Sequence, residues 1–460
     1  MIHGNHALAN AGLGRGAVAA LALAWRSASV IGCRQILGID ELNDGRDRAD
    51  ASVPLDAPSS ELFVDPVVGT DQDDCSRTRP CGTLTHALAR VKAGQTIYLG
   101  DGTYSADSGE HFDTVPAGVT IEAMTPGGAT LLGNPDSATA LTLQGDATIR
   151  GLHIRGFYAA ISALEGEITL DSLAIEQTNV GLVLQGPARV VAQSVSFTAG
   201  GQAFEMGSTA ELRLVGGTIS DMGPICASSV GIGALRGAAH VIFEGVTAQN
   251  NLGGLVLRDD SSADLEDSTL IDNGADACDP STHIDLRESA TVRLTNTTIE
   301  RGPGFGIHAS DESQISIMGG SFDGEGQTAA LSASGTSLDV RGTKFSGYLT
   351  AIRLGRGNNV VREAEITGND VGIEIDVDAS GFLDAGTIDQ PGNNAIRQND
   401  TTGLVVRGTI RRVINALGNT WNPGEQSADE NGLMATGPAI EGPVAGSNYE
   451  ISSTGPSIQF

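Results

Sequence analysis

Lysine is nearly missing from this chain. Lys92 and Lys344 are the two lysines in 460 residues, and Lys and Arg together number 27 against 56 Asp and Glu, a formal net charge of −29. So acidic a surface repels phosphate backbones and excludes nucleic acid as a partner. It also disfavours polyanions such as pectate unless calcium bridges the two, and it leaves neutral or cationic partners. Aromatic residues are scarce at 4%, so few rings are available for a sugar to stack on. Past the first 33 residues Trp421 is the sole tryptophan, and Tyr98, Tyr104, Tyr158, Tyr348 and Tyr449 are scattered. Tyr158 and Tyr348 fall in turns, where they are placed either to touch a ligand or to pack a loop. A sustained apolar i, i+3, i+4, i+7 pattern is also lacking, which excludes a helical solenoid. The Leu-x-x-Leu-x-Leu signature of leucine-rich repeats is absent as well.

What is present is a period. One apolar position recurs as Ile154, Ile175, Phe197, Ile219, Ala248, Leu270, Ile299, Phe322, Phe345 and Ile366, in steps of 21, 22, 22, 29, 22, 29, 23, 23 and 21 residues. A repeat of that size is one coil of a solenoid stacked on the last. Short runs such as Gly151–Ile154, Ala351–Leu354 and Gly372–Ile375 alternate apolar with polar residues, the period of a strand with one buried face. Gly, Asn, Asp and Ser separate them as turn formers, and Gly is 62 of 460 residues. The fold class is therefore all-β, a right-handed parallel β-helix of about 22 residues per coil. Residues 118–415 supply roughly 13 coils, and at ~4.8 Å per coil the shaft is ~60 Å long. Asn251, Asn273 and Asn369 each fall three residues after an anchor. Such asparagines hydrogen-bond along a stack, so a structural ladder is expected at 251 and 273.

The ends read differently. Arg15 precedes a nine-residue apolar run, Ala17 to Trp25, a secretory leader too short to span a bilayer. Val30-Ile31-Gly32-Cys33 resembles the bacterial lipoprotein box, which would make Cys33 the acylated first residue. Residues 1–33 are thus a lipoprotein-type signal peptide. Residues 34–60, rich in Asp with few large apolar groups, are an acidic disordered tether. Residues 61–117 form an N-terminal cap and first strands, 118–418 the β-helix, and 419–460 a C-terminal cap or tail. A short amphipathic capping helix is expected at 83–92, with Leu84, Ala87, Leu88 and Val91 on one face, followed by a strand at 96–99.

Five cysteines support export, because lipidation of Cys33 leaves an even four. Cys75 and Cys81, six apart, are close enough to bridge. Cys226 and Cys278 lie in the two 29-residue steps, seven or eight residues after their anchors. Two loops leave the shaft there at matching places, and a Cys226–Cys278 bridge is expected if they lean together.

The segment from Val64-Asp65-Pro66 through Pro80-Cys81-Gly82-Thr83-Leu84 to Gly102-Thr103-Tyr104 resembles the opening of many pectin-lyase-like right-handed β-helix proteins. Over its length the chain is similar to bacterial exported proteins, often lipoproteins, that carry a β-helix domain of unknown function, and Asn419-Thr420-Trp421-Asn422-Pro423 looks like their tail. The superfamily includes polysaccharide lyases and hydrolases as well as adhesins without catalysis. Polygalacturonase-like chemistry would require an Asp pair with Gly-His-Gly and Arg-x-Lys. Asp259-Asp260 is present, but Gly-His-Gly is not, and the coils hold no Arg-x-Lys. Neither that motif nor the basic residue of a calcium-dependent lyase carries over, and a shared fold does not imply a shared function.

Aligning coils gives an outward column, Glu205, Val256, Asp285, His308, Ser332, Arg353 and Glu374, with apolar residues on either side of each position. Asp285, His308 and Ser332 have the residue types of a nucleophilic triad, with Arg353 and Glu374 beside them. Flat parallel strands lack the elbow and oxyanion hole that acyl transfer needs, however, and paired charges on a solvated face account for the same column. Glu374, Asp376 and Asp378 alternate along one strand and are the candidate ligands for calcium, although three carboxylates supply only part of its shell. A second acidic line, Asp259, Asp260, Glu288, Asp311 and Glu312, falls in turns near Arg258 and Arg287.

Two functions remain. The first is a non-catalytic surface-binding or structural module of the bacterial envelope, with no cofactor assigned and calcium as the candidate. It would be monomeric, touch the membrane only through a lipid anchor on Cys33, and bind a polysaccharide or another cell-surface component. It would sit in the outer membrane or at the cell surface, with a periplasmic or secreted protein as the alternative location. The second is a polysaccharide hydrolase or lyase with a site on the Asp285–Glu374 column.

Overall fold

The structure, a computed structural model, describes residues 61–421 apart from 113, 135–137, 224–229, 275–280, 377–381, 388, 408–413 and 417, together with four two-residue strands further on. The leader, the tether and Cys33, Cys226, Cys278, Asp378 and Tyr449 lie outside the described residues. Most coils contribute three short strands, the second and third merging in Ser321–Ser334 and Lys344–Leu354, and like strands of successive coils pair in parallel to form three ladders. The first ladder holds 16 strands, from Glu61–Val64 through Thr96–Leu99 and Val119–Ala123 to Ile458–Gln459. The second runs through Gly102–Ser105, Leu152–Arg155 and Glu365–Thr367, the third through Ala159–Ala163, Thr282–Leu286 and Val371–Asp376.

The apolar period is the second ladder. Ile154, Ile175, Phe197, Ile219 and Ala248 pair Cα to Cα in unbroken register, and Leu270, Ile299, Phe322, Phe345 and Ile366 continue it. All ten are at most 1% exposed, so the recurrence in sequence is one continuous core column. The 29-residue steps leave that register intact, so their extra residues are accommodated between strands. The corner from first to second ladder takes at least one positive-φ residue per coil: Gly151, Ser172, Ser194, Gly216 with Gly217, Gly245, Asp267 and Asn296 in turn. The expectation of glycine at tight corners holds for part of that column. Ser, Asp and Asn fill the rest, because a short polar side chain can hydrogen-bond locally and tolerate the left-handed region.

Asparagine stacks brace the core from inside. The Asn251 amide Nδ2 donates to Asn273 Oδ1 at 2.7 Å, and Asn273 Nδ2 donates in turn to the Ala248 carbonyl at 2.9 Å. Asn369 joins a separate stack, donating to Asn399 Oδ1 at 3.1 Å. A third, Asn394 to Asn419 at 2.9 Å, occupies a different corner. The first stack ends on a buried histidine that periodicity gives no reason to expect. His283 is 1% exposed, its Nδ1 faces Asn273 Nδ2 at 3.3 Å, and its Nε2 donates to the Arg301 carbonyl. These partners assign the neutral Nε2–H tautomer. Burial pushes the imidazole down to about 4, against the raising effect of the Arg301 carbonyl and Asp272. The folded protein therefore binds this proton less readily than the unfolded chain. The stability that follows is complete above pH 6.5 and is lost as pH falls towards 4, up to about 3 kcal/mol. Urea midpoints at pH 7 and pH 4.5 should fall further in wild type than in His283→Gln, and an equal fall in both would refute the assignment.

At the N-terminal end the helix spans Leu84–Leu88, shorter than the expected 83–92, because Ala89 and Arg90 already turn away. Leu84, Ala87, Leu88 and Val91 are all buried in the common core. Two carboxylates tie down the start of the helix. Asp71 accepts from the Gly82 and Thr83 amides at 3.0 and 2.9 Å, and Glu110 accepts from the Leu84 and Thr85 amides at 2.7 and 3.0 Å. Burial raises the pKa of Glu110, partly offset by the bonds from Thr85 and Leu84. Cys75 and Cys81 form the expected disulfide, with Cα atoms 4.6 Å apart. Among the described residues no helix is long and apolar enough to cross a membrane.

Candidate functional site on the outer face of the third ladder

The expected column exists in unbroken register along the third ladder. Val183 pairs with Glu205, then Ala234, Val256, Asp285, His308, Ser332, Arg353, Glu374 and Val405 follow one per coil. Ala234 is the position that sequence alignment skipped, because the 29-residue step after Ile219 hides it. Five polar residues thus lie on consecutive coils between Val256 and Val405, about 4.8 Å apart.

They form two pairs with a serine between. Asp285 Oδ1 meets His308 Nδ1 at 3.1 Å, and its Oδ2 accepts from Arg287 Nε at 2.9 Å. Arg353 Nη2 donates to Glu374 Oε1 at 3.4 Å, and Thr350 Oγ1 donates to Glu374 Oε2 at 3.5 Å. Among the described residues no hydrogen bond joins Ser332 to His308, so the three triad residue types share a column without the nucleophile–base contact that triad chemistry requires.

The expectation of a solvated face needs a correction. Thr282–Leu286 is buried at all five positions, and the side chains of Asp285 and Glu374 are only 4% and 7% exposed. Their partners Arg287, His308 and Arg353 remain 31–47% exposed. Carboxylates this dry persist because cations and hydroxyls satisfy them. Each pair therefore presents its cation or imidazole outward over a sequestered carboxylate.

Of the three calcium candidates, Glu374 alone has a described side chain. Glu374 is engaged by Arg353 and Thr350, Asp376 sits in register with Arg407, and Asp378 lies outside the described residues. A cation demanding six to eight oxygens finds a competing guanidinium there instead. The second acidic line serves the turns. Asp259, Glu288 and Asp311 all take positive φ, Asp259 Oδ2 accepts from the Gly237 amide at 2.8 Å, and the Asp259 amide donates to Glu288 Oε2 at 2.8 Å. The Gly237 bond, with the Glu288 contact, holds the Asp259 carboxyl below its ordinary range. Asp259 and Glu288 cap the backbone of the coil before them, and Arg287 turns to Asp285 instead of to them.

The tyrosines divide. Tyr158 is 54% exposed in its turn, as expected. Tyr348 is not in a turn: it lies within the strand Lys344–Leu354, 3% exposed, and burial raises its hydroxyl's pKa. Lys344–Leu354 joins the second and third ladders in one run, so the residue that a coil normally spends on a turn is drawn into the core. Tyr104 is fully buried, and Tyr98 stacks on Phe63 with centroids 5.2 Å apart.

With this geometry established, comparison with known families agrees. A family model described as a right-handed β-helix region matches residues 141–322, and a family of proteins of unknown function, DUF1565, matches residues 67–127. This is a right-handed β-helix protein. No match was found among curated proteins. Solved structures similar to this β-helix protein include the pectate lyase Pel9A, at 14% identity and a TM-score of 0.39 over 67% of this chain and 79% of that one. Another is a mannuronic-acid-specific polysaccharide family 6 lyase from human gut microbiota, at 11% identity and 0.37 over 79% and 82%. A third is the alginate lyase AlyGC, at 11% identity and 0.34 over 79% and 80%. No catalytic residue passes from these lyases to this β-helix protein.

Proposed function

We propose that this chain is an exported, lipid-anchored β-helix protein of the bacterial envelope that binds a neutral polysaccharide along the outer face of its third ladder without cleaving it. One observation carries this reading. The polar residues of that face recur once per coil and their carboxylates are paired, Asp285 with Arg287 beside its contact to His308, and Glu374 with Arg353. The coil rise of about 4.8 Å is similar to the length of one sugar unit in an extended chain, so a repeating surface suits a repeating ligand. Pairing of the charges removes the strong field that would otherwise select for or against ions. Anchoring through Cys33 would hold such a face at the cell surface, where polysaccharide is encountered.

The full chain carrying Cys33→Ser, for solubility, should be retarded by at least one neutral polysaccharide in affinity electrophoresis with calcium present. Arg353→Ala should weaken that retardation about tenfold; it also takes the guanidinium from the largely buried Glu374 carboxylate, so the melting temperature falls as well, and retardation is compared at a temperature where circular dichroism shows both proteins folded. New reducing ends or unsaturated products would overturn the non-catalytic reading.

One contact favours a second reading, a hydrolase or lyase. Asp285, buried and hydrogen-bonded to His308 Nδ1, holds the imidazole with Nε2 as its remaining nitrogen, as a general base is held. Product formation abolished by His308→Ala would establish it.

A further inference from the structure

A cleft of about 460 Å³ opens well away from the polar column, over the turns that join the second and third ladders in three successive coils, at 156–158, 177–179 and 199–201. In a chain with net charge −29, none of the residues lining it carries a charge. The corner makes the contrast sharper. Its positive-φ position is Gly156, Gln177 and Ala199 at the cleft, and Asp221, Asn250, Asp272 and Arg301 in the next four coils, three of them charged. At the cleft's edge stands Tyr158, 54% exposed, in a protein with very few exposed rings. The floor is backbone: a Cβ on Gly201 would lie 2.3 Å from the Asn179 carbonyl, so no side chain can rise there to fill the space.

Thr178 supplies a second, independent sign. It lines the cleft, is 2% exposed, and its hydroxyl has no hydrogen-bond partner. A buried, unsatisfied hydroxyl costs about 1–3 kcal/mol. A ligand with hydroxyls of its own would satisfy it.

We infer that this cleft binds one neutral pyranose unit of a saccharide. A pyranose has an apolar C–H face that stacks on a tyrosine ring, and equatorial hydroxyls that need neutral donors and acceptors at the edge. Tyr158 provides the ring, and the exposed amides of Gln177 and Asn179 with the Thr178 hydroxyl provide the edge. A uronate would bring a carboxylate to a site without a cation, inside an acidic protein. The inference rests on the reading of this protein as a saccharide binder. It adds a subsite at the corner that leads into the same ladder, about 24 Å towards the N-terminus from Asp285 at five coil steps.

The test uses the full chain with Cys33→Ser on an array of neutral hexose oligosaccharides and of uronate oligosaccharides, followed by titration of the best binder. The expected result is binding to a neutral oligosaccharide that Tyr158→Ala weakens tenfold or more and Tyr158→Phe retains. Thr178→Val should weaken it about threefold without lowering the melting temperature, because the hydroxyl it removes has no partner in the free protein. Neutral binding that Tyr158→Ala leaves unchanged overturns the subsite, and if Arg353→Ala still weakens that binding the third-face reading survives. The reverse pattern overturns the third-face reading and keeps the subsite. Preference for uronates overturns the assignment of a neutral ligand, and an array with no binder overturns both.

Discussion

Phe322→Ala should destabilise the protein by about 4 kcal/mol, the cost of a large-to-small change in a fully packed core. Phe322 is one of the anchor positions, 0% exposed, and its ring lies over Phe345 one coil on, with centroids 5.0 Å apart and planes 22° from parallel. On its other side it meets Gly306: a Cβ added there would lie 3.0 Å from the ring. The ring is thus enclosed between a second phenylalanine and a glycine that leaves room for it. Removing it leaves a cavity that cannot close, since the coils above and below are held at fixed spacing by ladder hydrogen bonds. A solenoid is stabilised by each coil's contacts with its neighbours, so the defect weakens both interfaces of one coil. Phe322→Leu keeps most of the volume and should cost less than half as much. Urea unfolding followed by circular dichroism measures both. A loss below about 1 kcal/mol for the alanine variant would mean that neighbouring coils collapse into the gap, contrary to the rigid-stack account.

The fold was legible because a solenoid writes its core as a period. Ten anchor residues, each one coil from the last, specified the second ladder to the residue, and alternation on either side of Asp285 and His308 specified the third. What periodicity reports is which face a residue occupies. It says nothing of what lies over that face, and so Asp285 and Glu374 were read as solvated when their side chains are 4% and 7% exposed. Tyr348 was misplaced for a related reason: the usual break between second and third ladders is absent in Lys344–Leu354, and a single strand carries the tyrosine inward. His283 left no signal at all. It precedes the inward residue Ile284, where the pattern allows either face, and only Asn273 and the Arg301 carbonyl explain its burial. The cleft beside Tyr158 depends on three turns separated by about 22 residues each, a juxtaposition that exists only once the coils are stacked. Its one trace in the sequence is the uncharged run of corner residues Gly156, Gln177 and Ala199.

Asn273→Leu should be the most damaging single change in the shaft, costing about 5 kcal/mol. The side chain is 0% exposed and serves four partners at once. Its Oδ1 accepts from the Asn251 amide at 3.2 Å and from Asn251 Nδ2 at 2.7 Å, and its Nδ2 donates to the Ala248 carbonyl at 2.9 Å and faces His283 Nδ1 at 3.3 Å. Leucine keeps the branched shape with two methyl groups in place of the amide oxygen and nitrogen, and its greater bulk adds overpacking to the lost polar contacts. Each group left without a partner in a dry interior costs about 1–3 kcal/mol, and water has no route to a 0% exposed site. The stack makes these costs interdependent. Asn251 also accepts from the Met222 amide at 3.0 Å and donates to the Ile219 carbonyl at 3.0 Å, so losing Asn273 frees Asn251 to shift and loosens those bonds too. The double variant Asn251→Leu/Asn273→Leu should therefore lose about 1–2 kcal/mol less than the sum of the two single losses, the mark of residues acting as one network. Strict additivity would show instead that each asparagine braces its own coil alone.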